Sequence, residues 1–395
     1  MLPELKQELE QIALAGGERQ FRECVARRNG VISFRGRSAI DFTNWDRYDL
    51  NYHPGLRRSV QQVIEGYGFS TGAARGSTGS AALHSACERR LAEFMGFEGA
   101  TLFSSKNQAV FSLITAIASE RDVVLFDEAM QSPVGDAAYL VNCPTATFPS
   151  GNLARARGEL EKFKGARRRL LCVESVSPMS GEALDLVGWS ALAQKFDAEL
   201  IVDESYAIGG QGLRGAGGLE ALPLKSGVLC AYADCAVSLA GSGSFIAGPL
   251  PLIRYLMQRS RTFVVEVAPS PVAMAVVEGA LTHIELGHHA RERMNLSAGK
   301  LREGLIQMGA LRAGVVTGAI VGLPFKTHRL AREVGEALFQ KGVVVDVLAR
   351  PTGGSSPSLD GAAFVRFLVS AVHTPRQIED TLQACSEIWG KIDSQ

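Results

Sequence analysis

Between residues 100 and 250 the chain alternates short, almost wholly apolar runs with helix-patterned segments. The runs are ATLFSS, DVVLFD, RLLCVES, ELIVDES and SFIAG, and FSLITAIAS, NLARARGELEKF and LVGWSALAQKF are among the segments between them. A strand with one wet face alternates apolar and polar residues; a strand covered on both faces is apolar throughout, and parallel neighbours need a crossover, usually a helix. The text therefore predicts an α/β fold, a mainly parallel sheet with helices on both faces. Ligand sites of such sheets lie at the carboxyl ends of the strands, where Asp127, Glu174 and Asp203 fall.

The flanks are organised differently. Residues 1 to about 30 read as one charged amphipathic helix closed by Asn29-Gly30, and VISFRGRSAIDF as short strands. From Pro54 to Gly96 two helical segments bracket the glycine- and serine-rich STGAARGSTGSAA. Beyond a long helical stretch over 253 to 310, strand and helix signals alternate again: GAIVGLPF, LAREVGEALFQKG, VVVDVLA, a Gly/Ser/Pro loop at 351 to 361, AFVRFLVSA and RQIEDTLQACSEIW. The expected division is an N-terminal helix with short strands over 1–55, a large α/β domain over 56–290, and a small C-terminal α+β domain over 291–395.

Composition narrows the function. With 41 basic and 41 acidic side chains among 395 residues the formal charge is zero, which argues against a nucleic-acid footprint or a polybasic membrane surface. The seven cysteines include no C-x-x-C, and several sit in apolar runs, so they read as reduced, buried thiols. MLPELKQELEQIAL lacks the basic start and apolar core of a signal peptide. No apolar stretch approaches the ~20 residues of a membrane span, so the expected location is the cytoplasm.

Gly210-Gln-Gly212-Leu-Arg-Gly215 matches G-x-G-x-x-G after the strand ELIVDES, but AGGLEALPLKSG follows it, too broken by glycine and proline to open the helix that a pyrophosphate needs. No G-x-S-x-G, Walker or H-E-x-x-H motif occurs, and the adjacent His288-His289 has no second cluster to complete a metal shell. Asp203 with Glu204, closing an apolar strand, is either a strand-end cap or a carboxylate that holds a protonated ring nitrogen or a cation.

At this point the order of segments resembles the α-oxoamine synthases, fold type I pyridoxal-phosphate enzymes that include serine palmitoyltransferase, 8-amino-7-oxononanoate synthase and 2-amino-3-ketobutyrate ligase. YG-x(6)-R-x(3)-G-x(4)-H-x(3)-E is present as Tyr67, Gly68, Arg75, Gly79, His84 and Glu88. VESVSPMSGEALDL, VDESYAIGGQGLRGAG, SGSFIAG, SRTFVVEVAPSP and VRFLVSAVHT resemble further family segments in the family's order. The resemblance implies a fold type I aminotransferase-like architecture and a decarboxylative condensation of an amino acid with an acyl thioester. Its centre is a lysine that links the cofactor and moves the α-proton.

Checked position by position, that chemistry has eroded. Eight residues before Phe245, where the family carries its lysine, stands Val237; shifting the register by one gives Ala236 or Ser238, and no lysine occurs from 226 to 299. The ring-stacking histidine becomes Gln131, the histidine after the Asp-Glu pair becomes Tyr206, the phosphate-side Ser/Thr falls at Val265 or Glu266, and the glycine opening the phosphate helix becomes Lys106. Glu174 lies in the cofactor region. Asp203, the family's partner of the pyridinium nitrogen, and Arg366, matching its substrate-carboxylate arginine, are retained.

Because the family's sites lie between two subunits, a lysine-less copy can complete the site of a lysine-bearing homologue. The expectation is such a subunit of a heterodimeric acyltransferase, with pyridoxal phosphate held by the partner and no covalent binding of its own. Two alternatives stay open: a divergent active enzyme using pyridoxal phosphate without the usual lysine, with Lys106 or Lys225 as candidates to reach it, and a non-catalytic ligand-binding or scaffold homodimer.

Overall fold

The computed structural model describes residues 1–14, 21–128, 130, 133–222, 227–312, 318–349 and 363–392. The chain divides into two compact units: Leu50–Ser177 with Ala183–Arg291, and Met1–Asp49 with Pro178–Glu182 and Glu292–Gln395. The first 49 residues thus belong with the C-terminal segment rather than standing as a region of their own.

The single N-terminal helix expected from the sequence is not formed. Helix α1 covers Leu2–Leu14, and strand β1 (Ala26–Arg28) pairs antiparallel with β2 (Val31–Phe34), Arg28 opposite Val31. Asn29 and Gly30 both adopt left-handed backbone, φ 54° and 71°. That is the two-residue turn whose twist suits a hairpin, so the Asn-Gly signal marks a strand reversal, not a helix end. β3 (Arg37–Asp41) extends the ribbon.

In the large unit, helix α2 (Pro54–Tyr67) starts with proline at its first position, capped by His53, whose Nδ1 accepts from Gly55 N–H at 3.2 Å. Helix α3 (Ala82–Met95) ends at left-handed Gly96. A seven-stranded sheet follows, of β4 (Gly99–Phe103), β5 (Val123–Asp127), β6 (Thr145–Phe148), β7 (Arg169–Glu174), β8 (Ala198–Asp203), β9 (Val228–Asp234) and β10 (Ser244–Gly248), in spatial order β4-β10-β9-β8-β7-β5-β6. The ladders from β6 to β9 are parallel. β10 runs antiparallel to β9 and β4 because the short 235–243 turn leaves no room for a crossover helix.

Helices α4 (Lys106–Ile117), α5 (Pro133–Leu140), α6 (Leu153–Lys162), α7 (Leu186–Lys195), α8 (Leu250–Arg259), α9 (Arg261–Val265) and α10 (Pro271–Leu286) complete the unit. Val110, Leu113 and Ile114 of α4 pack with Val124, Leu170 and Ile201 of the sheet in one buried cluster. Every residue of β7 is buried, which is why its sequence shows no period of two. The fold is the fold type I aminotransferase-like α/β architecture, with the strand-end residues Asp127, Glu174 and Asp203 closing β5, β7 and β8.

Helix α11 (His288–Gln307), part of the small unit from Glu292 onward, leads to β11 (Ile320–Phe325), helix α12 (His328–Gln340), β12 (Val343–Val344), β13 (Asp346–Ala349), β14 (Ala363–Leu368) and helix α13 (Pro375–Ile392). β11, β14 and β13 form an antiparallel sheet with β14 central. β12 pairs parallel with β3, Val343 opposite Ile40, so the N-terminal ribbon and the C-terminal segment share one sheet. Phe42, Leu301, Leu323, Leu338, Phe367 and Ile388 anchor this unit's core. Among the described residues no helix is long and apolar enough to cross a membrane.

Candidate active site

The Arg75 motif is a scaffold in front of the sheet. Buried Arg75 pairs with Glu88 at 3.1 Å and lies over the Phe263 ring, 5.0 Å from its centroid. Glu88 also accepts from Leu102 N–H and the Thr101 hydroxyl, fixing α3 to β4. The ring of His84 bonds Pro269 O at 2.7 Å and accepts from Ala81 N–H at 3.0 Å. Gly79 is obligatory, since a Cβ there would stand 2.0 Å from Ala73 O.

At the carboxyl end of β8, Asp203 is clasped from two sides. Its Oδ1 accepts from Ser205 N–H at 2.9 Å and from the Ser205 hydroxyl at 2.5 Å. Its Oδ2 lies 2.5 Å from Lys106 Nζ. Lys106 is the first residue of α4, and Ser105 caps the helix by accepting from Gln108 N–H at 3.2 Å, while Ser104 N–H donates to the Gln108 side-chain oxygen at 3.0 Å. A cation is unfavourable at the positive end of a helix dipole. Lys106 is held there by Asp203, with its ammonium 5.8 Å from the Tyr232 ring centroid.

The electrostatics follow from burial and crowding. Burial alone would lower the Lys106 ammonium, but the Asp203 carboxylate outweighs it and holds the group above its ordinary value. Glu174 sits directly opposite Asp203 in the β7–β8 register. Burial, and then repulsion from Asp203 and Asp127, push its carboxyl well above the usual range, against the opposing pull of Lys106. Its Oε2 is buried with no hydrogen-bond partner. The Lys106 ammonium thus faces both Asp203 and Glu174, and burial beside Asp203 raises the Glu174 carboxyl.

The other positions are placed as follows. Val237 is buried in the turn after β9, its N–H donating to Asp234 O at 3.2 Å. Ser238 and Ala240 beside it have φ of 73° and 50°, left-handed backbone that is strained outside glycine. Tyr206 is half-buried and lies within electrostatic reach of Lys106. Val265 and Glu266 are exposed. Gln131 and Lys225 lie outside the described residues.

Around Gly210, Gly212 and Gly215 no long helix opens; a short 3-10 turn, Gly218–Ala221, follows, and buried Glu204 organises it by accepting from Gly218 and Leu219 N–H. The glycine loop is a carboxylate-centred turn and offers no dinucleotide cradle.

In the small unit, Arg366 on β14 gives its Nε and Nη2 to Asp346 Oδ2 at 3.2 and 2.7 Å, and its Nη1 to Pro178 O at 2.8 Å. Asp346 stands opposite Arg366 in the β13–β14 register. The arginine expected to hold a substrate carboxylate thus already holds one from its own sheet. Ser205 and Asp346 were not legible as partners in the sequence: Ser205 is one small residue in a loop, and Asp346 becomes a neighbour of Arg366 only through strand register.

The family profile described as aminotransferase class I and II matches residues 41–384. An 8-amino-7-oxononanoate synthase from Chromobacterium violaceum is 31% identical over 349 residues, 88% of each chain. The chain belongs to the class I and II aminotransferases, in the α-oxoamine synthase branch. A 2-amino-3-ketobutyrate coenzyme A ligase from Salmonella typhimurium is 27% identical over 395 residues, covering 98% of both chains. Among solved structures, a lysine-to-alanine variant of serine palmitoyltransferase from S. paucimobilis with a PLP–myriocin aldimine bound superposes with a TM-score of 0.89 at 23% identity, over 98% of this chain and 97% of that one.

Set against the α-oxoamine synthase cofactor, pyridoxal phosphate, the side chains present do not fit. The cationic partner of Asp203 comes from the chain itself, so a pyridinium reaches that oxygen only by displacing Lys106. Val237, in the turn where the sequence match expects the linking amine, has no group to offer. Lys106 is held as an ammonium, which is no nucleophile, and it pairs with the carboxylate expected to face the ring nitrogen.

Proposed function

We propose that this chain is a catalytically degenerate α-oxoamine synthase, the lysine-less subunit of a heterodimeric acyltransferase. A homologous lysine-bearing subunit holds pyridoxal phosphate and condenses an amino acid with an acyl thioester, with loss of carbon dioxide. The observation that carries this reading is the Lys106–Asp203 pair in a chain with Val237 where the linking lysine is expected. An intact fold around an altered site is what a positioning subunit requires: it must pack and present surface, not transfer a proton.

Two alternatives meet specific observations. A divergent enzyme working through Lys106 requires a free amine, and the ammonium is stabilised. A homodimer that binds a carboxylate through Arg366 must first release Asp346.

Co-expression with a lysine-bearing homologue, followed by purification through a tag on this chain alone, tests the proposal. The expected product is a coloured one-to-one complex, active with an amino acid and an acyl thioester, while the chain expressed alone is colourless and inactive. Borohydride reduction and mass spectrometry should find the pyridoxyl group on the partner. An adduct on Lys106 of this chain, or a self-contained homodimer that takes up no homologue, overturns the reading.

A further inference from the structure

Without a linking lysine, the ring of the cofactor can be held only by non-covalent contacts, and the residues at the end of β8 govern them. Both oxygens of Asp203 are engaged within the chain, Oδ1 by Ser205 and Oδ2 by Lys106 at 2.5 Å. The first turn of α4 is engaged too: Gln108 N–H is bonded to Ser105 Oγ, and Ser104 N–H to the Gln108 side chain. Lys106 itself stands where the sequence match places a glycine, so a four-carbon stem and an ammonium fill space that glycine leaves open.

We infer that Lys106 is a built-in replacement for the cofactor's pyridinium, supplying Asp203 with its cation from within the chain and closing this chain's cleft to pyridoxine-type ring phosphates. The substitution balances in charge. A protonated pyridine and a lysine ammonium each bring one positive charge and one N–H to the same carboxylate. Without either, the buried Asp203 carboxylate beside Glu174 would lose its ion-pair partner, which is costly in a fold. The chain therefore folds complete, with no cofactor needed to neutralise its sheet.

The inference deepens the proposed function at the same site but does not rest on a partner, so its test uses the full chain alone. The probe is pyridoxine 5′-phosphate, the alcohol form, which keeps the ring nitrogen and the phosphate but has no aldehyde to react with surface lysines. Equilibrium dialysis should show no saturable binding to the wild-type chain up to about 1 mM, whereas Lys106→Gly should bind at least about tenfold more tightly. The gain should disappear in the Lys106→Gly/Asp203→Asn double variant, which a nonspecific loosening of the cleft would not cause.

Saturable binding to the wild type as tight as to Lys106→Gly overturns the inference, and so does absence of binding to both. If Lys106→Gly does not fold unaided, refolding it with pyridoxine 5′-phosphate is the measurement. Recovery of soluble, cooperatively melting protein supports the replacement, and failure of that rescue sinks it. None of these outcomes depends on whether a lysine-bearing homologue is found.

Discussion

At the end of β8 the Lys106 ammonium pairs with Asp203 and also faces Glu174, whereas in the small unit the Arg366 guanidinium holds Asp346 through two nitrogens and Pro178 O through the third. The difference separates two kinds of buried charge. In the small unit the Arg366 guanidinium is the main counter-charge of Asp346, ahead of Arg27. At the end of β8, Glu174 is crowded by Asp203 and Asp127, its carboxyl pushed up and its Oε2 without a hydrogen-bond partner. A charge held by its main partner is costly to strand, while a crowded acid can be removed with gain.

The sharpest way to break the comparison is Arg366→Met. Stranding Asp346 in a sheet should cost about 3–5 kcal/mol, seen as a lower unfolding midpoint. Replacing both partners with Arg366→Met/Asp346→Leu should recover most of that loss. Equal stability of the single and double variants would show that Arg366 does not offset the Asp346 charge.

A second test lies in the same unit. His373 is buried against Phe42, its Nδ1 accepting from Ser370 N–H at 2.9 Å and its Nε2 facing Asp41 O at 3.1 Å. Burial pushes it down to about 4 from an ordinary 6.5. A depressed value means its contribution is whole above 6.5 and is lost as the pH falls toward 4, up to about 3 kcal/mol by linkage. His373→Gln should be less stable at neutral pH but show a shallower acid limb in urea melts. An unchanged limb would remove His373 from the account.

The smallest effect, and the one of opposite sign, is expected at Glu174. Its raised value means its contribution is whole below 4.5 and is lost as the pH rises through the folded value. Glu174→Gln should therefore match the wild type near pH 4 and exceed it increasingly as the pH rises. A variant that loses stability at high pH would mean Glu174 is ionised in the fold.

What the sequence revealed, and what it hid, divides along sequence distance. Continuous apolar runs announced β5, β7 and β8, and the acids that close those strands could be placed at their carboxyl ends. The Asn29-Gly30 signal was visible but misassigned, because the same dipeptide ends helices and reverses strands; pairing with Val31–Ser33 decides between them. Lys106 and Asp203 were each visible as separate departures from or matches to a family pattern. That they meet is a product of β4, α4 and β8 converging, which no local pattern encodes. Arg366 read as a ligand for substrate because its strand partner, Asp346, is fixed only by register.

The parallel pairing of β3 with β12 sets an order of events during synthesis. Ile40 cannot find Val343 until nearly the whole chain has left the ribosome, whereas every strand of the seven-stranded sheet is present once residue 248 has emerged. The large unit can thus collapse while the N-terminal ribbon waits, exposing a β-edge for the remainder of translation. The expected consequences are longer exposure to chaperones and a low tolerance of C-terminal truncation. A stop codon before residue 343 would leave the ribbon unpaired even though the sheet that carries Lys106 and Asp203 had already formed.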